Sequence, residues 1–249
     1  MRTLRIVLVV LGLIIVLFND TLGKLEGFLE FLLLYFIAVC IAIFHWVFVN
    51  IKLIITLKKE KAKTELMHLQ SQVNPHFFFN MLNNLYGLVD QDSEKAKRLI
   101  LKLSDMMRYS IYEGQKLYVT LGEEIDFIQN YIELHKMRYH KEIAIHTDIK
   151  VENEDVKIAP LLFIILVENT FKHGVEKLRN HAFVNIAITS EQNEVVLKIE
   201  NNFEEEEKSE NGIGLNNLKR RLELVYPNNH ELIFSVQKDT YTAKLKLDV

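Results

Sequence analysis

The 249-residue sequence is poor in cysteine, in proline and in net charge, and each scarcity excludes a class of protein. The one cysteine, Cys40, lies in an apolar run, so the chain can form neither an internal disulfide nor a cysteine-based metal site. Three prolines leave no proline-rich linker. The formal net charge is -3, and without an overall positive field we expect no nucleic-acid partner.

Apolar residues are abundant instead, and they are concentrated in the first sixty positions. The runs 4–18 and 28–57 are almost wholly apolar, and a membrane-spanning helix needs about 20 such residues. The first run could also be a cleaved signal peptide, because Arg2 and Arg5 precede its apolar core. No small-residue cleavage site follows it, so we predict that residues 1–57 form two transmembrane helices.

Lysine and arginine predict how these two spans are oriented. Arg2 and Arg5 flank the first span, whereas the short connection 19–27 holds only Lys24. Five lysines follow the end of the second span or lie near it, at Lys52, Lys58, Lys59, Lys61 and Lys63. Because positive residues stay on the cytoplasmic side, we expect a hairpin with both ends in the cytoplasm.

The next segment, residues 58–140, reads as helical. Residues 78–89 and 93–107 carry apolar side chains at helical spacing, and Ser93 is a candidate N-cap for the second helix. The two would form an antiparallel hairpin with a broad apolar face, which two copies could bury together as a four-helix bundle. We therefore expect a homodimer, although a helical subdomain within one chain would show the same periodicity.

The remaining segment, residues 141–249, mixes strands and helices. Just before this segment, the capping box Thr120–Glu123 begins the last helix of residues 58–140, which runs to about residue 139. Alternation then predicts strands at 143–149, 183–189, 194–200, 232–236 and 243–247, and periodicity predicts helices at 160–172 and 215–226. The predicted fold class is α+β, with a helical hairpin followed by an α/β sandwich.

One histidine stands in an unusual setting, between Pro75 and three phenylalanines. Proline removes a backbone donor and bends or begins a helix, which would leave the imidazole of His76 accessible. Neutral imidazole is a good nucleophile near pH 7, because its pKa is about 6.5. A structural surface histidine would fit these features as well.

Residues 168–174 read Glu-Asn-Thr-Phe-Lys-His-Gly and have the residue types of a phosphate site. The side-chain oxygen of Asn169 suits Mg²⁺, and Lys172 and His173 follow it at helical spacing. An ordinary helix end would carry the same types, with Gly174 as its terminator and the basic residues complementing the helix dipole.

A third cluster, Gly212-Ile213-Gly214-Leu215, comes directly before a predicted helix. Glycines allow a ligand to approach the backbone, and helix N-terminal amides bind phosphate. By itself this spacing is weak evidence. The basic residues 219–221 that follow are interpreted as a charged helix face.

Together these clusters resemble one family. Residues 72–80 with Asn83 are similar to the phosphoacceptor signature of LytS-type sensor histidine kinases, close to Q-x-N-P-H-F-L-F-N-x-L-N, with Phe78 where Leu is common. Residues 168–174 resemble the N-box, and 212–215 the glycine-rich box, of the wider GHKL ATPase group, in the same order and at matching spacing. The resemblance covers about residue 66 to the C-terminus.

This resemblance implies a bacterial inner-membrane kinase whose cytoplasmic part uses ATP and Mg²⁺ to phosphorylate His76 and then passes the phosphate to a response regulator. Residues 58–140 would be the dimerisation and phosphotransfer region, and 141–249 the ATP-binding domain. Glu168 is the candidate to orient or deprotonate His76, and Asn169 is the Mg²⁺ ligand. The expected nucleotide-binding residues are Asn169, Lys172, His173, Asn201, Gly212, Gly214 and Leu215.

Two departures from the family pattern keep other functions open. The adenine-contacting box normally reads Asp-x-Gly, but Asn201 and Phe203 stand at those places. An Asn oxygen can still accept a hydrogen bond from an adenine amino group, although it lacks the charge. A catalytically degenerate scaffold or regulator is therefore the first alternative. A GHKL-type ATP hydrolase is the second, but Ile165 occupies the place of its catalytic Glu and cannot activate water.

Overall fold

The computed structural model describes residues 2–24, 26–70, 75–138, 143–178, 181–204 and 212–249. Two compact units are distinguished, residues 1–63 and residues 64–249. The described α-helices are α1 (Arg2–Leu17), α2 (Asn19–Leu22), α3 (Phe28–Gln70), α4 (Pro75–Val89), α5 (Ser93–Tyr112), α6 (Leu121–Arg138), α7 (Phe163–Thr170) and α8 (Ile213–Val225). The strands are β1 (Val119–Thr120), β2 (Ile143–Val151), β3 (Lys157–Ile158), β4 (Ala182–Glu191), β5 (Glu194–Asn202), β6 (His230–Gln237) and β7 (Thr240–Asp248).

The first unit contains α1, α2 and most of α3. Among the described residues, α3 alone is both long enough and apolar enough to cross a membrane. No residue of its most apolar stretch is buried in the protein, as expected of a lipid-facing surface. The helix α1 has 16 residues, fewer than the roughly 20 that a span needs. The first of the two predicted spans therefore stays a prediction.

In the second unit, α4 and α5 pack together as the predicted antiparallel hairpin. The helix α4 begins at Pro75, as the proline predicts, because a first-turn residue needs no amide donor. The N-cap of α5 is Asp92, one residue before the predicted Ser93. The carboxylate of Asp92, not Ser93, accepts a hydrogen bond from the Lys95 amide at 2.9 Å. Ser93 is the first helical residue instead.

The buried face of α4 also differs from the predicted stripe. Phe77, Met81 and Leu88 are buried within the unit. Leu82 and Val89 of the predicted stripe are about half exposed, at 47% and 51%. The adjacent row of side chains faces the rest of this unit. In the predicted row, Leu82 and Val89 lie on an exposed apolar surface, whereas Phe78 and Leu85 are partly buried against the core.

The helix α6 connects the hairpin to the sheet, since it packs on both α5 and α7. The predicted capping box begins it. The Thr120 amide donates to Glu123 Oε2 at 2.7 Å, and the Glu123 amide donates to Thr120 Oγ1 at 3.1 Å. These two bonds satisfy amides that a helix start leaves without partners.

A five-stranded sheet in the order β2-β4-β5-β7-β6 forms the second half of this unit. The strand β2 is parallel to β4, and the other neighbours are antiparallel. All five predicted strands are present, and α7 packs on β5 beside α8. The α+β fold class is therefore confirmed. The pair of two-residue strands β1 and β3 was not predicted, because such short segments have no periodicity.

The predicted helix at 160–172 is shorter than expected. It begins at Phe163, because Leu161 has a left-handed backbone with φ of 56°. After Thr170 the chain continues through a wider π-helical turn at 171–175, where the Glu176 amide donates to the Phe171 carbonyl at 2.8 Å. Gly174 therefore lies inside this turn and does not terminate the helix.

The core of the hairpin provides a matched test of this packing. Leu99 is fully buried on α5, whereas Leu101, on the same helix, is 66% exposed. We expect Leu99→Ala to lower the free energy of unfolding by about 2–5 kcal/mol, because it removes buried methyl groups and leaves a cavity. Leu101→Ala should change it by less than about 0.5 kcal/mol. Urea unfolding followed by circular dichroism measures both, and equal losses would contradict the packing described.

Candidate nucleotide site

One cavity of about 340 Å³ collects most of the residues that the sequence singled out. Residues from α7, the π-helical turn, the start of α8 and the helical hairpin line it together. The predicted residues on its wall are Glu168, Asn169, Lys172, His173, Gly212, Gly214 and Leu215. Two motifs about forty positions apart in the sequence are thus brought to one site.

The α7 side of the cavity presents amide, carboxylate and basic groups. Glu168 and Asn169 are half-buried in the last turn of α7, and the exposed Lys172 and the half-buried His173 follow in the π-helical turn. Burial lowers the pKa of His173, and Lys172 lowers it further. The ring is therefore neutral at pH 7, so Lys172 is the positive charge of this group. Wide π-helical turns are frequent at functional sites.

The opposite wall is the N-terminus of α8. Gly212 is its N-cap residue and makes no side-chain capping bond. Gly212 and Gly214 are exposed, and the Leu215 amide donates to the Gly212 carbonyl at 3.1 Å, so the first-turn amides left for an incoming group are those of Ile213 and Gly214. Helix N-terminal amides with a positive dipole end suit phosphate oxygens.

Asn201 does not line this cavity. It lies at the end of β5, is 2% exposed, and donates from Nδ2 to the Asn202 carbonyl at 2.9 Å. Its Oδ1 has no hydrogen-bond partner among the described residues. A buried acceptor of this kind is normally satisfied, so it fits a ligand amino group such as that of adenine. Asn201 packs against Gly174, one residue after His173.

The helix α4 brings its first turn to the same cavity. The rings of Phe77 and Phe78 line it. Phe77 stacks on Tyr131 of α6 with centroids 4.8 Å apart, and Tyr131 meets Phe171 of the π-helical turn at 5.7 Å. His76 precedes Phe77 on α4, and its side chain lies outside the described part of the structure. An aromatic cluster therefore joins the helix that carries His76 to the turn that carries Lys172.

A buried carboxylate lies behind the cavity, and sequence reasoning missed it. Glu124 of α6 is fully buried. Its oxygens accept from Tyr109 Oη at 2.6 Å, the Leu161 amide at 2.8 Å and the Phe163 amide at 3.1 Å. Burial raises the pKa of Glu124, and these donors, together with the nearby Arg221, oppose that rise.

Arg221 is the second missed residue, and the structure corrects its interpretation as part of a charged helix face. Arg221 is 2% exposed and is one of the residues that line the cavity. It donates to the Leu161 carbonyl at 3.0 Å and to the Pro160 carbonyl at 2.5 Å. Burial lowers its pKa to about 10, so it remains charged at pH 7.

A signal for both residues exists in the sequence. Glu124 stands four positions before Ile128 and seven before Tyr131, on the apolar side of α6. Arg221 stands three positions after Leu218, which is also buried. A charged residue on the apolar face of a helix must find partners inside the fold, so the periodicity could have identified both.

The donor set also limits how Mg²⁺ could be held. No group of three or more His, Cys, Asp or Glu with metal-binding geometry occurs among the described residues. A protein site that offers one amide oxygen, from Asn169, fits Mg²⁺ only when phosphate oxygens and water complete its octahedral shell. A magnesium ion held here by Asn169 would therefore take most of its ligands from phosphate oxygens and water.

Comparison with known proteins agrees with the motifs. Residues 64–143 match the family model described as histidine kinase. The chain is 34% identical over 138 residues to Sensor protein LytS of Staphylococcus epidermidis, covering 55% of this chain and 23% of that protein. It is 29% identical over 190 residues to Sensor histidine kinase BtsS of Escherichia coli, covering 74% and 34%. These matches confirm the resemblance inferred from the motifs.

The matched relatives are longer than this chain, which spans between about a quarter and a third of their length. Among solved structures, the Acinetobacter baumannii histidine kinase AdeS overlays with a TM-score of 0.40 at 13% identity, covering 68% of this chain and 92% of that one.

Gly174 offers a test of the site's geometry. A Cβ at this position would come within 3.0 Å of Asn201 Nδ2 and of the Asn202 carbonyl oxygen. We expect Gly174→Ala to displace the π-helical turn and weaken ATP binding about tenfold or more, because the neighbouring atoms include backbone. Gly87→Ala is the control, since nothing lies within 4 Å of the added carbon. Calorimetric titration with ATP measures both, and equal affinities would contradict the close packing at Gly174.

Proposed function

We propose that this chain, whose residues 64–143 belong to the histidine kinase family, transfers the γ-phosphoryl group of ATP to His76 and then to an aspartate of a response regulator. The observation that carries the proposal is the shared cavity. Glu168, Asn169, Lys172 and the glycines of the α8 N-terminus line it together with Phe77, the residue after His76.

The nucleotide-binding roles follow from the chemistry of each wall. Lys172 would meet phosphate oxygens as a point charge, and the open amides after Gly212 would hold further oxygens. Asn169 would ligate Mg²⁺, which neutralises charge on the phosphates when it is bound. The Oδ1 atom of Asn201, which has no hydrogen-bond partner among the described residues, would accept from the adenine amino group. Because Asn lacks the charge of the Asp that the family has at this place, affinity should be modestly weaker.

The proposed reaction is an in-line displacement. An imidazole nitrogen of His76 forms a bond to the γ-phosphorus while the bond to the β,γ-bridging oxygen breaks, and ADP leaves. The ring gives up its remaining proton, for which Glu168 is the candidate acceptor. Catalysis in such a transfer is mostly positioning and charge neutralisation, which is what a cavity of this composition supplies.

The hydrolase alternative has little support at this site. Ile165 lines the cavity, and its side chain can neither orient nor deprotonate a water molecule. The proposed location is a bacterial inner membrane, with α3 as a span and the second unit in the cytoplasm. A response regulator would then reach the phosphorylated hairpin from the cytoplasmic side.

Labelling tests the proposed reaction directly. The purified full chain in detergent, incubated with γ-labelled ATP and Mg²⁺, should acquire a label that is labile in acid and stable in base, as a phosphoramidate is. His76→Gln should abolish the label, because it removes the nucleophile, while ATP affinity stays unchanged. His68→Gln, on the exposed face of α3, is the control and should keep the label. Equal labelling of the His76 variant would exclude this residue, and absence of ATP binding by the unaltered chain would favour the degenerate scaffold.

The uncovered face of the hairpin supports a homodimer. We call it the hairpin groove, and its apolar walls are Leu82, Leu85, Ile100, Leu103, Met107 and Tyr112. Leu82 and Ile100 are 47% and 48% exposed in one chain. An apolar surface of this kind between two helices is what a four-helix bundle would bury.

Charge placed in the hairpin groove should prevent that assembly. We expect the double variant Leu82→Glu, Ile100→Glu to sediment as a monomer, because buried unpaired carboxylates are costly. Leu101→Glu lies on α5 outside the groove and should remain dimeric. Analytical ultracentrifugation in matched detergent measures both. A double variant that still sediments as the dimer would contradict the predicted bundle.

A further inference from the structure

We propose that Glu124 is a positioning residue, whose carboxylate sets the start of α7 and, through Tyr109, ties the nucleotide-site helix to the hairpin that carries His76. The inference rests on the proposed function, since it assigns a role in bringing two parts of one reaction together. Glu124 itself does not line the cavity, so it acts through the elements that it holds.

The first part of the argument is the helix start. The N-cap position of α7 is Leu162, which supplies no side-chain capping bond. Glu124 takes over that task from another helix, because its two oxygens accept the amides of Leu161 and Phe163. A carboxylate at a helix N-terminus also meets the positive end of the helix dipole.

The second part is the strain in the turn that Glu124 holds. Leu161 is a non-glycine residue with φ of 56°, a left-handed conformation that is unfavourable for a residue with a side chain. Arg221 holds the same turn as well, because it donates to the carbonyls of Pro160 and Leu161. The Ala159 amide donates to Tyr226 Oη at 2.9 Å. Such a conformation persists only where its surroundings determine it.

The third part is the short distance along α7 between this turn and the residues of the cavity wall. The helix α7 has eight residues, and Asn169 lies six positions after Phe163, or about 9 Å along the axis. A helix this short moves as one piece, so a shift of its first turn is passed to Asn169 and Glu168 in its last. Leu161 also lines the cavity itself.

The fourth part is the connection to the hairpin. Tyr109 lies near the end of α5, and its hydroxyl donates to the same Glu124 oxygen that the Leu161 amide uses. Its ring stacks on Phe127 of α6 at 4.6 Å. Met106 and Ser110, which flank it on α5, line the cavity. One carboxylate oxygen is therefore shared by the phosphoacceptor hairpin and the entry to α7.

The residue type at this position is restricted by its partners. Tyr109, Leu161 and Phe163 all direct a donor at Glu124, so the site needs two oxygens that only accept. A glutamine would place an NH₂ group against at least one of these donors. A buried donor would then lose its partner, which is costly in an interior without water.

Three variants of the full chain in detergent separate these roles. Glu124→Gln disturbs the carboxylate itself, Tyr109→Phe removes only the link to the hairpin, and Glu123→Gln weakens the capping box one position away. The readouts are ATP affinity by calorimetry, the single-turnover labelling rate of His76 at saturating ATP, and the thermal midpoint. The thermal midpoint shows at which temperatures each variant is folded, so that ATP affinity and labelling rate are measured on folded protein.

We expect Glu124→Gln to weaken ATP binding and to slow labelling, each about tenfold or more. Tyr109→Phe should leave ATP affinity within about twofold and slow labelling about tenfold, because only the docking of the hairpin is affected. Glu123→Gln should lower the midpoint and leave the other two readouts unchanged. If Glu124→Gln does not fold, the split between affinity and rate in Tyr109→Phe still decides the question.

Unchanged affinity and rate in a folded Glu124→Gln chain would overturn the inference, as would a Tyr109→Phe chain that labels at the rate of the unaltered protein. Both outcomes require that the unaltered chain becomes labelled, which supports the proposed function. A chain that binds ATP without becoming labelled would instead contradict the proposed function. In that case the ATP affinity of Glu124→Gln would still test the role of Glu124 in positioning α7.

Discussion

The carboxylate of Glu124 receives donors from two separate parts of the chain, α5 and the residues around the start of α7, and the geometry of the candidate site depends on that meeting point. A carboxylate taken out of water loses hydration worth several kcal/mol, which the interior must replace. Tyr109 and the amides of Leu161 and Phe163 replace it, with the charge of Arg221 nearby. Since these groups come from α5, the turn before α7, and α8, the position of each element constrains the others.

The packing of these elements determines which residues line the cavity. One wall carries Asn169 and Lys172, another carries the amides after Gly212, and a third is apolar and comes from Phe77 and its neighbours on the hairpin. An apolar wall excludes water and strengthens the electrostatic contacts on the other two. In the proposed reaction the polar walls would bind the phosphates, and the apolar wall would exclude water.

The second unit also includes the last turns of α3, and they contact α8. Glu65 forms a two-pronged ion pair with Arg220 of α8, at 2.6 Å and 3.0 Å. Both side chains are partly exposed, so the pair contributes little stability by itself. The pair matters for its position, because it joins α3 to α8, and the glycine-rich N-terminus of α8 lines the cavity.

The sequence by itself determined what is local. Alternation located the five strands of the sheet, the spacing of Thr120 and Glu123 located a helix start, and two motifs named eight of the residues that line the cavity. Only the tertiary structure decided which face of α4 is buried and where the helix after Pro160 begins. It also decided that Asn201 lies beside the cavity and not in its wall. The physical reason is that burial and hydrogen-bond partners come from distant residues: Glu124 meets Leu161 across 37 positions, and Arg221 meets it across 60.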